Sequence, residues 1–266
     1  LFGVDEKGHI KAGASDIKGL EALQKADLMV IFARFLDLPD NQMKHIADYV
    51  ERGGPVVGLR TSSHAFKIPK GKTYSRFDFK YSGDDFKNGF GHQVLGNTWV
   101  GHYGSNHKQA TRIQLITSQK ENPILKGVEN NALCMAGAYV GIPDETFTVL
   151  TESQPLNGMT KGSPADPNKK PSPSTWTRHY STKDGKKARV FHSTQGASQD
   201  LLDSNYRRLI INGIFWAAGL EKEIKANAKI DFVGAYTPTR FGFGGEVKNV
   251  KPTDLADINS PIMPKK

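Results

Sequence analysis

A single cysteine, Cys134, occurs in 266 residues, which excludes an internal disulfide and leaves the redox compartment undetermined. Its setting, Ala132-Leu133-Cys134-Met135-Ala136, reads as a small buried hydrophobe. No run approaches the roughly 20 apolar residues needed to span a bilayer, so the chain reads as soluble, with no membrane span. No internal repeat is visible. An initiator methionine and an apolar leader are also missing, and Leu1-Phe2-Gly3-Val4 reads as a strand already under way. The expectation is a truncated chain or a removed targeting segment. The compartment, cytoplasmic or periplasmic and secreted, stays open.

Acidic residues are the minority, 27 against 36 Lys and Arg, for a net charge of +9. An excess of this size raises nucleic acid or an anionic surface as a partner. The basic residues are scattered, however, and the densest clusters, Lys169-Lys170, Lys183 to Lys187 and Lys265-Lys266, fall in loops or at the end. A solvated basic surface with no nucleic-acid partner follows. A basic rim that favours an acidic sugar or a polyanionic glycan remains open. The length suits one large α/β domain, set at residues 1–220, with a tail from 221 to 266 packed on it. Association into a homo-oligomer is left open.

The richest stretch runs from Gly53 to His64 (GGPVVGLRTSSH), an apolar strand ending in a polar tip. Before it, Met43, Ile46, Ala47 and Val50 recur three or four apart and make one apolar face of a helix over Asn41 to Arg52, stopped by Gly53-Gly54. Before that helix, Asp27 to Phe35 is an apolar run of strand length with Arg34 near its end. Strand, helix and strand thus bring Arg34, Arg60, Thr61, Ser62 and His64 to one edge. An open α/β sheet binds ligands outside the carboxyl ends of its strands.

Further along, Gly19 to Lys25 reads as a short helix, Lys67 to Gly83 as a loop, and Asp84 to Leu95 as a helix stopped by Gly96-Asn97. Thr98 to His107 reads as an aromatic, polar loop. Thr111 to Thr117, Glu145 to Leu150, Ser174 to Tyr180 and Lys187 to Ser193 read as strands, and Asn205 to Ala218 as a helix capped by Gly219. Gln154 to Pro173 carries five prolines and two glycines and reads as a long, exposed loop placed to act as a lid.

Asp27-Leu28-Met29-Val30-Ile31-Phe32, the stretch Gly53 to His64, Trp176-Thr177-Arg178, Arg189 to Gly196 (RVFHSTQG) and Asn212 to Gly219 (NGIFWAAG) together resemble the trehalose-utilisation (ThuA-like) family over about residues 20 to 220. The resemblance implies a flavodoxin-like, class I glutamine amidotransferase-like α/β fold: a mainly parallel sheet with helices on both faces, its leading strand and helix absent here. It implies a role in carbohydrate metabolism without specifying a reaction.

In the amidotransferases the strand-to-helix elbow carries a cysteine nucleophile within Gly-x-Cys-x-Gly. Laid on Gly58-Leu59-Arg60-Thr61-Ser62, that position is Arg60, which cannot attack a carbonyl. Glutaminase chemistry is therefore excluded. A serine nucleophile at Ser62 or Ser63 has His64 close by and no acid partner that can be named. The elbow offers instead a planar cation, hydroxyls and an imidazole, suited to a polyhydroxylated or carboxylated ligand. The structural reading of the same residues pairs Arg60 with an internal carboxylate and packs His64 under the loop.

His102 and His107 flank an aromatic stretch and His192 closes the last strand. With His64 they make four imidazoles that one sheet edge would gather for a divalent metal, for ligand contacts or for proton transfer. No His-x-x-x-His or His-Glu-x-x-His occurs to favour the metal. Trp99, Tyr103 and Trp176 supply flat faces for a sugar, Arg178 shares the Trp176 face two residues on, and Trp216 reads as core. The leading expectation is a carbohydrate-processing enzyme acting by hydrolysis, elimination or isomerisation. Arg60, His64 and His192 act on the substrate; Arg34, Thr61, Ser62, Trp99, His102, Tyr103, His107, Trp176 and Arg178 bind it. The alternatives are a non-catalytic sugar-binding module with a degenerate amidotransferase-like site, and an amidotransferase-like partner subunit.

Overall fold

The computed structural model describes residues 3–143, 146–234, 236–240, 242 and 247–255. Strand β1 (Met29–Ile31) and strand β2 (Val56–Leu59) pair in parallel across helix α1 (Asp40–Glu51). Met43, Ile46, Ala47 and Val50 of α1 are buried, as their spacing requires. The helix closes in a Schellman motif: Gly54 N–H donates to the Tyr49 carbonyl and Gly53 N–H to that of Val50, with Gly53 at φ 79°. Gly54 has no alternative, because a Cβ there would lie 2.2 Å from the Tyr49 ring.

A two-stranded antiparallel ribbon follows from β3 (Asn97–His102) and β6 (Tyr139–Pro143). Strands β4 (Thr111–Leu115), β5 (Ala132–Cys134), β7 (Thr148–Pro155), β8 (Ser172–Ser181) and β9 (Lys187–Ser193) join the first two in a seven-stranded sheet, ordered β1-β2-β9-β8-β7-β4-β5. Helix α2 (Ser204–Ala217) is capped by the Asp203 carboxylate, which accepts from Asn205 and Tyr206 N–H.

The sheet is mixed rather than mainly parallel. Only β1–β2 and β2–β9 are parallel, whereas β9–β8, β8–β7, β7–β4 and β4–β5 are antiparallel. Connection length explains the β8–β9 pair. A parallel crossover needs a dozen or more residues, and only residues 182–186 separate β8 from β9. They form a tight turn in which Thr182 N–H donates to the Lys186 carbonyl and Gly185 takes φ 82°; Asp184-Gly185 is a hairpin signal.

Helices do cover both faces, one on each. Val56 packs in the core under α1 and its neighbour Val57 in the core under α2, as alternation along a strand demands. Gly213 lets α2 approach the sheet, since a Cβ there would lie 2.6 Å from the Phe191 ring.

Other expectations shift. Asp84 to Leu95 is not a helix over its length; it coils only at its end, where Gly89 and Phe90 lead into one π-helical turn over Gly91–Leu95. Gly91 sits so tightly on the Ser63 carbonyl that a Cβ would come within 2.1 Å of it, and Gly96 at φ 89° ends the turn. Thr98 to His102 is strand, so Trp99 lies on β3 and not in a loop. The ends of the Gln154 to Pro173 loop belong to β7 and β8, and Leu156 bridges to Ala165 across its neck. Glu145, Leu1-Phe2, Lys265-Lys266 and the glycine-aromatic stretch from Phe241 to Gly245, apart from Gly242, lie outside the described residues. The described part of the C-terminal segment touches the body: Tyr236 OH donates to the Ser198 carbonyl at 2.8 Å, and the Val250 carbonyl accepts from Ile10 N–H at 2.7 Å. Among the described residues no helix is long and apolar enough to cross a membrane.

Candidate functional site

β1, β2 and β9 run in the same direction, so the residues after their carboxyl ends emerge on one side of the sheet. β2 passes through Arg60, at φ 43°, into a 3-10 turn over Arg60–His64. A non-glycine residue in the left-handed region stores strain and marks a sharp elbow. The Arg60 side chain is buried. Its Nη1 donates to the carbonyls of Gly137 at 3.2 Å and Thr194 at 3.4 Å, and its Nη2 to Asn106 Oδ1 at 3.3 Å. Its guanidinium carbon lies 4.5 Å from the centre of the Tyr139 ring, within cation–π reach.

His64 is buried against Trp99 at 4.7 Å between ring centroids, Phe35 at 5.0 Å and Tyr139 at 5.7 Å. Its pKa is pushed down to about 3, first by burial and then by the positive charges of Arg34 and Arg60. The ring is therefore neutral at physiological pH. Nδ1 lies 3.2 Å from Ser63 Oγ, which in turn donates to the Arg60 carbonyl at 3.4 Å. With the serine proton used there, Nδ1 is the donor and the lone pair sits on Nε2.

His102, exposed at the end of β3, closes the aromatic group, 5.7 Å from Trp99 and 5.5 Å from Tyr139. Burial and the two arginines lower its pKa as well. Arg34 is exposed and lies 5.0 Å from the Phe35 ring centre. Thr61 is half-buried, and Ser62 is buried with no hydrogen bond to its hydroxyl among the described residues.

The remaining predicted residues go elsewhere. His192 is sealed in the sheet face, 4.7 Å from Trp176 and so close to Gly58 that a Cβ there would come within 2.9 Å of Nδ1. Burial drives its pKa down to about 3; the Gly58 backbone pulls the other way without offsetting it. Trp176 is core, donating to the Leu95 carbonyl at 2.8 Å, and Arg178 Nη1 caps the π-helical turn by donating to the carbonyls of His92 and Gln93. Tyr103 OH donates to the Lys170 carbonyl at 3.0 Å. His107 turns to the C-terminal segment, where its Nδ1 accepts from Arg240 Nε at 2.5 Å. Among the described residues no three His, Cys, Asp or Glu side chains are disposed to hold a metal ion. Cys134 is buried, and burial raises its thiol pKa.

Five residues were not singled out from the sequence: Asn106, Tyr139, Thr194, Gln195 and Asp200. Asp200 is buried and accepts from the backbone N–H groups of Ala136, Gly196 and Ala197. Burial raises its pKa against those bonds and against the charge of Arg60. Thr194 Oγ1 and both amide atoms of Gln195 are buried with no partner among the described residues. Thr194 and Gln195 follow directly on β9, so the strand-end rule that selected Arg60 would have selected them too. Asn106, Tyr139 and Asp200 carry no local signal.

The family model described as trehalose utilisation (ThuA) matches residues 7–217. The chain belongs to that family. Among solved structures, a putative ThuA-like protein from Bacteroides uniformis is similar at 15% identity over 78% of this chain and 75% of that one, with a TM-score of 0.45. A putative ThuA-like protein from Parabacteroides merdae is similar at 19% identity over 82% and 77%, with a TM-score of 0.41. A β-galactosidase from Rahnella matches at 14% identity and a TM-score of 0.41; this chain covers 24% of it. No curated protein matches the chain.

Proposed function

We propose that this member of the trehalose-utilisation family binds a sugar or modified glycoside where β1, β2 and β9 end, and that His64 is the proton-transferring residue of the site. The observation that carries the reading is the neutral His64 imidazole packed against Trp99 beside the Arg60 elbow. Indole and phenol faces suit the C–H faces of a sugar, and guanidinium donors suit its oxygens. The Ser62 hydroxyl, Thr194 hydroxyl and Gln195 amide, which have no hydrogen-bond partner among the described residues, add hydrogen-bonding capacity at the elbow for ligand hydroxyls or ordered water.

A neutral imidazole with its Nε2 lone pair available is a base. The groups that act most on His64 and His102 are arginines and histidines, with no carboxylate among them. That environment is unlike the paired carboxylates of glycoside hydrolysis. It favours proton abstraction, as in elimination or isomerisation, with the guanidiniums stabilising the developing oxyanion. Arg34 and Arg60 hold ligand oxygens in this scheme. His192, sealed in the sheet, supports the elbow from beneath instead of transferring protons.

The test is deuterium exchange. Sugars and keto-sugars are incubated with the protein in D2O and followed by proton NMR, and the expected result is loss of a sugar C–H signal that His64→Gln abolishes while binding persists. Exchange that survives in His64→Gln removes His64 as the base. Binding with neither exchange nor turnover makes the site a sugar-binding module.

A further inference from the structure

We infer that Asp200 is the positioning residue of Arg60, its carboxylate joining the two loops whose carbonyls cradle the guanidinium; this rests on the reading of Arg60 as a holder of ligand oxygens. Gly137 and Thr194 offer their carbonyls to the guanidinium and Asn106 offers its Oδ1. The three acceptors come from separate connections: Gly137 from that between β5 and β6, Thr194 from the chain after β9, and Asn106 from that between β3 and β4. A cradle of this kind keeps its shape only if the loops are tied to one another.

Asp200 supplies the tie. Its Oδ1 accepts from Ala136 N–H at 3.1 Å, and its Oδ2 from Gly196 and Ala197 N–H at 2.9 Å each. One oxygen thus holds the neighbour of Gly137, and the other holds the chain just beyond Thr194. Asn106 closes the ring, because its Oδ1 accepts from Gly137 N–H at 3.1 Å as well as from Arg60.

Capping accounts for only half of these bonds. Asp200 lies in the 3-10 turn Ser198–Leu202, and its bonds to Gly196 and Ala197 are of the local kind that starts such a turn. The bond to Ala136 spans 64 residues of chain and does nothing for the turn. The carboxylate is also buried, which is costly for a charged group, whereas a cap works as well at the surface. The charge of Arg60 stabilises the carboxylate in return.

The test is nitrogen-15 NMR of the Arg60 guanidinium in the full chain, with no ligand added. In the wild type the two Nη signals are expected to be resolved, because bonds to separate acceptors slow rotation of the group. Freely averaged signals there overturn the inference before any variant is made. In Asp200→Asn the amide keeps one acceptor oxygen and turns its donors toward the other loop, so Nη rotation should become about tenfold faster, the scale of one lost charge-assisted hydrogen bond. Ile46→Val, in the core under α1, lowers stability away from these loops and should leave the Arg60 signals unmoved. If Asp200→Asn needs help to fold, all three proteins are read in an osmolyte that favours the compact state. Rotation unchanged in Asp200→Asn, or equally faster in Ile46→Val, overturns the inference. Failure of every sugar to bind the wild type removes the sugar reading and leaves the Arg60 result as it stands.

Discussion

The imidazole of His64 and the indole of Trp99 lie tilted against each other, 4.7 Å between centroids and 32° between planes, and this contact ties the elbow after β2 to the ribbon of β3 and β6. Trp99 packs over the histidine and, in the function proposed above, offers a surface to a ligand. Trp99→Ala should therefore raise the His64 pKa from about 3 toward its ordinary value, 6.5, by lifting the burial that depresses it. Imidazole NMR titration reads the shift. An unmoved pKa would mean that Trp99 plays no part in desolvating the ring.

Acid should destabilise the protein early. His64 and His192 both have folded pKa values of about 3 against 6.5 in the unfolded chain, so the unfolded state binds more protons between those limits. Stability is then full above pH 6.5 and falls as pH drops through the window, by about 2 kcal/mol per histidine at pH 5. Melting temperature against pH is the measurement. Replacing His192 by Gln should roughly halve the slope between pH 6.5 and 5.

At Arg60 the backbone has a preference separable from the side chain. Its φ of 43° strains any residue with a Cβ, while glycine adopts it freely. Arg60→Gly and Arg60→Ala both lose the guanidinium contacts, yet the glycine variant should be the more stable by about 1 kcal/mol. Urea unfolding of the two variants decides it, and alanine proving equal or better would mean that the elbow relaxes.

Gly58→Ala should be destabilising by about 1–3 kcal/mol through overpacking. The added Cβ would lie 2.8 Å from Leu95 and 2.9 Å from His192 Nδ1, both locked in the sheet face. A rise in the His192 pKa, read by NMR, should accompany the loss as the seal around the ring loosens.

The long loop after β7 is tied down, and Gln109 is one of its ties. Its Nε2 donates to Asp166 Oδ2 at 2.8 Å and its Oε1 accepts from Lys169 Nζ at 2.7 Å. Gln109→Ala should speed tryptic cleavage at Lys161 and Lys169 several-fold while moving the melting temperature little, because the residues freed lie at the surface. Unchanged cleavage would show that other contacts hold the loop.

Much of the βαβ unit was legible because its signals are local. Met43, Ile46, Ala47 and Val50 repeat with the helical period, Gly53-Gly54 stops the helix, and the apolar run before Arg60 has the length of a buried strand. The same logic put Arg60 and His64 just past a strand's end, and the structure sets both in the turn that follows β2. The ribbon strand through Trp99 was misread because its aromatic and polar residues lack alternation and its partner, β6, lies some 40 residues away in the chain. The short turn at Asp184-Gly185 is a local signal as well, and it argues against an all-parallel sheet.

The sequence by itself determined helices α1 and α2, most strands, the family and the strand ends that carry Arg34, Arg60 and His64, because periodicity, caps and turn residues act over a few positions. Only the tertiary structure decided which of the candidate residues lie near one another. Trp176, Arg178 and His192 lie on the face of the sheet covered by the turn at Gly91–Leu95, whereas Tyr139, Asn106 and Asp200 gather around Arg60 from distant parts of the chain. Burial and electrostatic field depend on such long-range neighbours, so the neutral state of His64 could not be read from the residues beside it.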